Sequence, residues 1–167
     1  DRYQPDSGST SCIYATPGHF VDESAATSQE SCQLGEYQPS TARQSCMTAD
    51  IGYYVDSIGS SSQTKCLPGK FNPDEASTTV EACIDAEPGF YVETTTSGAG
   101  SQTPCSAGTY QSAYGMTECT EAEEGYFVDT TEATTPTPCN AGTYQPSTGQ
   151  VGCLLYTSPS PRDVLRS

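Results

Sequence analysis

Apolar residues occur along this chain in short clusters, each followed by a longer polar stretch. Tyr53-Tyr54-Val55 is typical, because two aromatic residues and a β-branched residue precede Asp, Ser and Gly. Clusters of this composition, bounded by turn-forming residues, are typical of short strands. No segment keeps apolar residues at helical spacing over several turns. The pattern therefore predicts strands of about two to four residues in hairpin-like ladders, with much irregular chain between them.

The clusters recur at a nearly constant period, and each period contains two related halves. One half runs Ala-x-x-Gly-aromatic, as in the segment from Ala49 to Tyr53. The other runs Cys-x-x-Gly-x-aromatic, as in the segment from Cys105 to Tyr110. Glycine adopts positive φ without a steric penalty, so the glycine of each half predicts a turn that directs the aromatic residue back to the repeat.

Twelve of the fifteen aromatic residues occupy these slots. We expect them to cover the disulfides and the neighbouring turns, because buried aromatic rings carry most of the apolar area of a small module. The alternative interpretation is an exposed row of rings that binds sugar or a partner. The predicted packing aromatics are Tyr37, Phe71, Tyr110, Tyr144, Tyr54, Tyr91 and Phe127.

Nine cysteines are distributed through the chain, and even the nearest neighbours, such as Cys32 and Cys46, are well separated. Zinc sites pair their ligands at much shorter spacing, often with histidine, whereas this chain has a single histidine, His19. The spacing therefore favours a disulfide framework in an oxidising, secreted setting, at an extracellular or cell-surface location. The odd number leaves one cysteine free or paired outside the chain.

Composition narrows the classes of function. The net charge of −15 argues against a nucleic-acid partner, and no apolar run approaches the ~20 residues of a membrane-inserted helix. With 34% hydrophobic residues, a single large core is not expected. Disulfides and stacking of neighbouring repeats are expected to stabilise the chain instead. The predicted fold class is small, disulfide-rich and mostly irregular, with short β-hairpins in an elongated tandem-repeat rod.

The repeat pattern also predicts boundaries. Residues 1–12 form a partial repeat, because Tyr3-Gln4-Pro5 matches a Cys half without its first Cys, and the chain is therefore expected to be a segment of a longer repetitive protein. The tail departs from the pattern and resembles an adapter-derived sequence, so it is expected to be non-native and outside the fold. The remaining predicted segments are repeats 13–46, 47–83, 84–119 and 120–153, followed by the tail 154–167.

Residues 1–153 resemble the cysteine-rich modules of tumour necrosis factor receptors and, more nearly, the ephrin-receptor-like repeat of extracellular proteins. The segments from Cys105 to Cys119 and from Cys139 to Cys153 carry this resemblance. The family usually has a further cysteine, in a Cys-x-x-Cys pair, where this chain has alanine. That departure removes one disulfide from each repeat, at Ala49, Ala86 and Ala122.

The resemblance implies that the two cysteines flanking Gly-x-aromatic bond to each other. The implied pairs are Cys32–Cys46, Cys66–Cys83, Cys105–Cys119 and Cys139–Cys153, with Cys12 joined to an upstream cysteine. Sequence alone does not decide connectivity. The alternative register is Cys12–Cys32, Cys46–Cys66, Cys83–Cys105 and Cys119–Cys139, with Cys153 free.

Threonine-rich stretches with proline are typical O-glycan acceptors in secreted proteins, and a solvated loop is the alternative. The candidates are Thr94, Thr95, Thr96, Thr130, Thr131, Thr134, Thr135 and Thr137. We interpret the dispersed acidic residues as a solvated surface, and His19 as a packing residue in an aromatic slot. No catalytic, cofactor-binding or metal site is predicted, and an enzyme is not expected.

Identical repeats present identical faces, and a contact that does not close on itself propagates into a fibre. The sequence therefore favours an extracellular structural protein that forms or coats a filament, such as a fibril, a flagellar hair or a cell-wall fibre. Its expected partners are like repeats, by self-association into a homopolymer, and covalent glycans. The alternative hypothesis is the ligand-binding ectodomain of a cysteine-rich receptor or adhesin.

Overall fold

The computed structural model describes residues 1–93 and 98–156, which form two compact units. The first unit contains Asp1–Ala86 and the chain between Val92 and Gln102. The second contains Glu87–Tyr91 and the chain from Thr103 onwards. Each unit is built from the same small element, a two-stranded hairpin.

Nine antiparallel hairpins account for all the strands of the described chain, and every strand has two residues. The prediction of short paired strands is confirmed, and the described helical structure is limited to one 3₁₀ turn, Val80–Ala82. The first unit contains β1 (Arg2–Tyr3) with β2 (Ile13–Tyr14), β3 (His19–Phe20) with β4 (Glu30–Ser31), β5 (Glu36–Tyr37) with β6 (Met47–Thr48), β7 (Tyr53–Tyr54) with β8 (Thr64–Lys65), and β9 (Lys70–Phe71) with β10 (Ile84–Asp85). The second contains β11 (Phe90–Tyr91) with β12 (Thr103–Pro104), β13 (Thr109–Tyr110) with β14 (Thr120–Glu121), β15 (Tyr126–Phe127) with β16 (Thr137–Pro138), and β17 (Thr143–Tyr144) with β18 (Leu154–Leu155).

A tight turn leads into the first strand of a hairpin. In one example the N–H of Tyr53 donates to the carbonyl of Asp50 at 3.1 Å, with Gly52 between them at φ 81°. Positive φ at the third of four positions is the signature of a type II turn, which favours glycine there. The repeated Gly of the sequence is therefore explained by backbone geometry.

The structural unit is half of the sequence period. The turn glycines Gly18, Gly35, Gly52 and Gly69 follow one another at one constant interval, and Gly108, Gly125 and Gly142 keep the same interval. The hairpin of β9 and β10 is longer because its loop contains the 3₁₀ turn before Cys83. Each half, whether it begins with Ala or Cys, thus builds one hairpin.

Successive hairpins within a unit are joined by main-chain hydrogen bonds. The N–H of Gly35 donates to the carbonyl of Val55 at 2.9 Å, and the N–H of Gln38 donates to that of Ser60 at 3.0 Å. In the second unit, Gly108 and Gln111 donate to Val128 and Ala133 at 2.8 and 3.0 Å. Because these bonds use backbone groups, the Ala and Cys halves can join in the same way.

In each unit, two columns of small and medium-sized side chains form the buried core. The first column alternates alanine with cysteine, and the second alternates valine with an amide residue. The buried members of the first are Ala15, Cys32, Ala49, Cys66, Ala86, Cys105 and Ala122. Those of the second are Val21, Gln38, Val55, Asn72, Val92, Gln111, Val128 and Gln145.

The predicted boundary at residue 153 falls inside the last hairpin. Leu154 and Leu155 form β18 and pair with Tyr144 and Thr143. Strand pairing uses backbone groups, so the change of side-chain pattern after Cys153 does not prevent it. The rest of the predicted tail, residues 157–167, lies outside the described residues.

Candidate functional site

The disulfide-closed loops are the most distinctive chemical feature of the described chain. Four disulfides are present, with Cα–Cα distances of 5.7, 5.6, 5.8 and 5.8 Å. They join the two cysteines flanking each Gly-x-aromatic segment, as the family resemblance implied, and not those of the alternative register. Cys12 is free and exposed. The bonded pairs are Cys32–Cys46, Cys66–Cys83, Cys105–Cys119 and Cys139–Cys153.

Three of these loops each contain a buried glutamine whose hydrogen bonds close the loop in addition to the disulfide. In the loop from Cys105 to Cys119, the side-chain amide of Gln111 donates to the carbonyl of Glu118 at 2.9 Å. Its Oε1 accepts the N–H of Ala113 at 3.1 Å. A buried amide with both ends bonded avoids the cost of an unsatisfied polar group. The side chain thus fixes both ends of the loop in place.

We call this closure of a loop by a side-chain amide the amide clamp. It recurs at equivalent positions. Gln38 donates to the carbonyl of Ser45 at 2.7 Å, and Gln145 donates to that of Gly152 at 2.6 Å. Gln4 also donates to the carbonyl of Ser11, the residue before Cys12. Sequence reasoning missed this role, although each of these glutamines precedes a cysteine at the same spacing.

The longer loop from Cys66 to Cys83 uses asparagine in the same slot. Asn72 is fully buried, and its amide donates to the carbonyl of Tyr53 at 2.8 Å and to the hydroxyl of Ser77 at 2.9 Å. The shorter side chain bonds Ser77 in its own loop and Tyr53 in the preceding hairpin, and not the residue before the second cysteine. Because this loop is longer than the other three, its buried amide is still hydrogen-bonded but has partners at different positions.

In two of the alanine halves, a side-chain hydrogen bond takes the place of the disulfide. Gln63 follows Ala49 at the same spacing as Cys46 follows Cys32, so it occupies the position of the second cysteine. Its Oε1 accepts the N–H of Asp50 at 2.7 Å, and its amide donates to the Asp50 carboxylate at 2.7 Å. Gln29 makes the equivalent bonds with the N–H and hydroxyl of Thr16, each at 2.9 Å.

The aromatic slots are less buried than the two core columns. Tyr37 is 8% exposed and forms a buried cluster with Ala49 and Val55, whereas Tyr144 is 45% exposed. The other predicted packing aromatics are half-buried: Tyr54, Phe71, Tyr91, Tyr110 and Phe127. Burial raises the pKa of the Tyr37 phenol, and the negative charge of Asp50 raises it further.

His19 occupies an aromatic slot in β3 and is half-buried. Its Nδ1 lies 3.2 Å from the Thr16 hydroxyl and 3.2 Å from the carbonyl of Pro17. These local contacts orient the ring on its own turn. Within residues 1–93 and 98–156, no group of three or more His, Cys, Asp and Glu side chains has the arrangement of a metal site.

The threonines proposed as glycan acceptors in the second unit lie at the surface. Thr130, Thr131, Thr134, Thr135 and Thr137 are all exposed. The first four belong to the loop between β15 and β16, and Thr137 begins β16. The candidates Thr94, Thr95 and Thr96 lie outside the described residues.

A cavity of about 430 Å³ lies beside the loop that Cys46 closes. Asp1, Gln38, Arg43 and Met47 are among its lining residues. A smaller cavity of about 230 Å³ is lined by the loop between β3 and β4, including Asp22, and is strongly polar. Both belong to the first unit.

No known family matches the chain, and no curated protein matches it at a significant level. None of the helices formed by the described residues is long and apolar enough to cross a membrane.

Proposed function

We propose that this chain is part of an extracellular structural repeat protein that forms or coats a filament and has no enzymatic activity. The supporting observation is the main-chain ladder, in which Gly35 bonds to Val55 and Gln38 bonds to Ser60 in the next hairpin. A ladder that repeats in each half permits growth by addition of further halves. We infer an elongated tandem-repeat rod of the ephrin-receptor-like kind.

The proposed rod depends on covalent and polar closures more than on an apolar interior. Each cysteine half has a disulfide, and Gln111 illustrates how a buried amide closes the same loop again. Disulfides persist in oxidising compartments, which supports the proposed extracellular or cell-surface location. A loop of about 15 residues gains on the order of 3 kcal/mol from such a bond in the loop-entropy model.

O-glycosylation is the modification proposed for the filament surface. The exposed loop between β15 and β16 carries Thr130, Thr131, Thr134 and Thr135. Ser/Thr-rich segments with proline are accepted by O-glycosylating enzymes in secreted proteins. Mass spectrometry of intact, naturally produced protein is expected to show hexose or N-acetylhexosamine additions that β-elimination removes.

The alternative function is a ligand-binding ectodomain of a cysteine-rich receptor or adhesin. The cavity of about 430 Å³ lined by Arg43 and Gln38 favours this alternative. A ligand-binding site is expected in one such cavity and not on every hairpin. An ectodomain is expected to use one such patch, whereas a filament protein is expected to use equivalent surfaces repeatedly.

Electron microscopy of the native material distinguishes the two functions. A filament protein is expected to show equivalent surfaces in contact along a helical assembly. Two results together would support the ectodomain instead. One is isolated particles without lateral or longitudinal contacts at native concentration. The other is saturable ligand binding that Arg43→Ala removes.

A further inference from the structure

Four hairpins place an exposed threonine directly opposite an aromatic residue. In each of them the threonine begins the second strand, and its cross-strand partner ends the first strand. Directly opposed residues of an antiparallel pair project from the same face of the hairpin, with their Cβ atoms about 4.5–5.5 Å apart. We call these four residues the facing threonines. The pairs are Thr64 with Tyr54, Thr103 with Tyr91, Thr120 with Tyr110, and Thr137 with Phe127.

The aromatic rings of these pairs keep part of their apolar surface open. All four rings are half-buried, and the facing threonines are exposed. In four of the other described hairpins, the residue opposite the aromatic residue is apolar, and an apolar pair of this kind stabilises a hairpin. Those apolar residues are Ile13, Met47, Ile84 and Leu154. A threonine side chain is too short and too polar to cover a ring in the same way. Each facing threonine therefore leaves apolar surface beside a hydroxyl group.

The hydroxyl groups of the facing threonines are available for chemistry. None of the four is hydrogen-bonded to another described residue. By contrast, Thr109 and Thr143, in the first strands of their hairpins, donate to the carbonyls of Ser106 and Asn140 at 2.8 and 2.7 Å. Those two hydroxyls are engaged with their own turns, whereas the facing threonines present an exposed oxygen that a transferase can reach.

Three of the facing threonines recur at the interval of the hairpins. Thr103, Thr120 and Thr137 begin the second strands of three consecutive hairpins in the second unit. They follow one another at the same separation as the turn glycines Gly108 and Gly125. Thr103 and Thr137 are each followed by proline, a composition typical of O-glycan acceptors.

We propose that the facing threonines carry O-linked sugars, and that the aromatic ring opposite each threonine packs against its first sugar. Thr137 is already a predicted acceptor, and the strand register adds Thr64, Thr103 and Thr120. One face of a pyranose presents C–H groups, which the electron-rich face of an aromatic ring attracts. The sugar thus covers ring surface that the protein leaves open. This inference deepens the proposed glycosylation and rests on the proposed extracellular function.

The attachment is a glycosyl transfer from an activated sugar phosphate, catalysed by a glycosyltransferase. The threonine Oγ1 forms a bond to the anomeric carbon of the sugar, and the bond between that carbon and the phosphate oxygen breaks. The phosphate leaves with the bonding electron pair, and the hydroxyl proton passes to a base of the transferase. The step is not a redox reaction, so it requires no oxidant.

Charge favours a neutral sugar over a phosphate group as the modification. The described part of the second unit has several acidic residues, among them Glu121 and Asp129, and contains neither Lys nor Arg. A phosphate group there would add negative charge without a cationic partner. A neutral sugar adds no such repulsion.

Site-resolved mass spectrometry of the naturally produced protein tests the acceptors. Electron-transfer fragmentation keeps the sugar on the peptide and locates it. We expect hexose or N-acetylhexosamine on each of the facing threonines. Thr48 is the matched control, because it is also an exposed strand threonine but its cross-strand partner is Glu36. We expect Thr48 to stay unmodified.

A double-mutant cycle tests the packing of ring on sugar. Thr120→Val keeps the branched shape and removes the acceptor, and Tyr110→Leu keeps an apolar side chain and removes the ring. In protein secreted by eukaryotic cells, each single variant is expected to lower the melting midpoint by about 2 °C or more, and the double variant by less than the sum. In unglycosylated protein from a bacterial periplasm, this departure from additivity is expected to shrink.

Two controls accompany the cycle. Thr48→Val with Glu36→Gln is expected to give the same coupling with and without glycosylation, because this pair has no ring. Alkylation of the unfolded, unreduced variants is expected to label Cys12 alone, which verifies that every variant has formed its disulfides.

Four outcomes overturn the inference. One is sugar on the loop between β15 and β16 while the facing threonines are unmodified, which would leave loop glycosylation standing. A second is equal occupancy of Thr48 and the facing threonines. A third is phosphate in place of sugar. The fourth is a coupling between Thr120 and Tyr110 that glycosylation does not change. Electron microscopy judges the filament separately, since filaments whose facing threonines are unmodified would overturn this inference alone.

Discussion

The turn at Gly108 packs directly against the carbonyl group of Gly149, which lies in the loop between β17 and β18. An added Cβ at Gly108 would overlap that carbonyl, whereas one at the equivalent Gly142 would meet nothing within 4 Å. Both glycines have positive φ, 91° and 85°. The same turn therefore has two separable requirements for glycine, one of backbone conformation and one of space.

Alanine substitutions at these two glycines separate the requirements. Gly142→Ala is expected to cost about 1–2 kcal/mol of unfolding free energy, the cost of the left-handed conformation for an L-residue. Gly108→Ala bears that same cost and an added overlap with backbone, so we expect it to be less stable by at least about 1 kcal/mol more. Urea unfolding of the oxidised chain measures the difference. Equal losses for the two variants would contradict the packing of Gly108 on Gly149.

The amide clamp is testable through Gln111. Gln111→Leu keeps the side chain close in size and removes both hydrogen bonds, leaving the carbonyl of Glu118 and the N–H of Ala113 without this partner. We expect a loss of about 1–3 kcal/mol in the free energy of unfolding.

Gln150→Leu is the control for the clamp. Gln150 is exposed and bonds only a local carbonyl, that of Thr148 at 3.0 Å, through its side chain. Its replacement is expected to change stability by no more than about 0.5 kcal/mol. Similar losses for Gln111 and Gln150 would show that the clamp adds nothing beyond a surface contact.

A fifth disulfide is expected to form when cysteines replace Ala49 and Gln63. These residues have the same separation in sequence as Cys32 and Cys46, and the Gln63 side chain already bonds Asp50, the neighbour of Ala49. Loop closure predicts a gain of up to about 3 kcal/mol, reduced by the loss of the Gln63 hydrogen bonds. Intact mass and free-thiol counting report the bond, with Ala49→Cys alone as the control. A double variant that keeps both thiols under mild oxidation would refute the equivalence of the two kinds of half.

Alkaline pH is expected to destabilise the first unit through Tyr37. Burial raises the pKa of its phenol above the ordinary value of 10.0, so the folded chain holds this proton more tightly than the unfolded chain. The associated stability is complete below about pH 10 and is lost as the pH rises through the folded-state pKa. Urea midpoints between pH 8 and pH 11 are expected to fall less for Tyr37→Phe than for the parent, in a Cys12→Ser background that prevents thiol exchange. Parallel pH profiles would rule out this contribution.

Thiol labelling examines the disulfide register. Alkylation of the unfolded, unreduced chain is expected to add one group per molecule, on Cys12, because the other eight cysteines are bonded. Peptide mapping locates the label. A label on Cys153 would instead support the alternative register.

Several features of the fold followed from the amino-acid pattern alone. Gly-x-aromatic segments predicted short strands behind tight turns, because positive φ and β-branched or aromatic side chains are local preferences of the chain. Regular cysteine spacing in a chain poor in apolar residues predicted a disulfide framework, because such a composition does not supply a large core. Those conclusions needed no knowledge of which hairpins are neighbours.

The tertiary structure decided which side chains are buried and how each loop is closed. The sequence predicted the aromatic rings as the packing residues. The most buried positions are instead the Ala or Cys slot and the Val or Gln slot, such as Ala49 and Val55. The closure by Gln63 and the clamp by Gln111 were also beyond sequence reasoning. A glutamine is polar and is expected at the surface until its bonded partners are known. Its burial depends on carbonyl and N–H groups that only the folded backbone brings within reach.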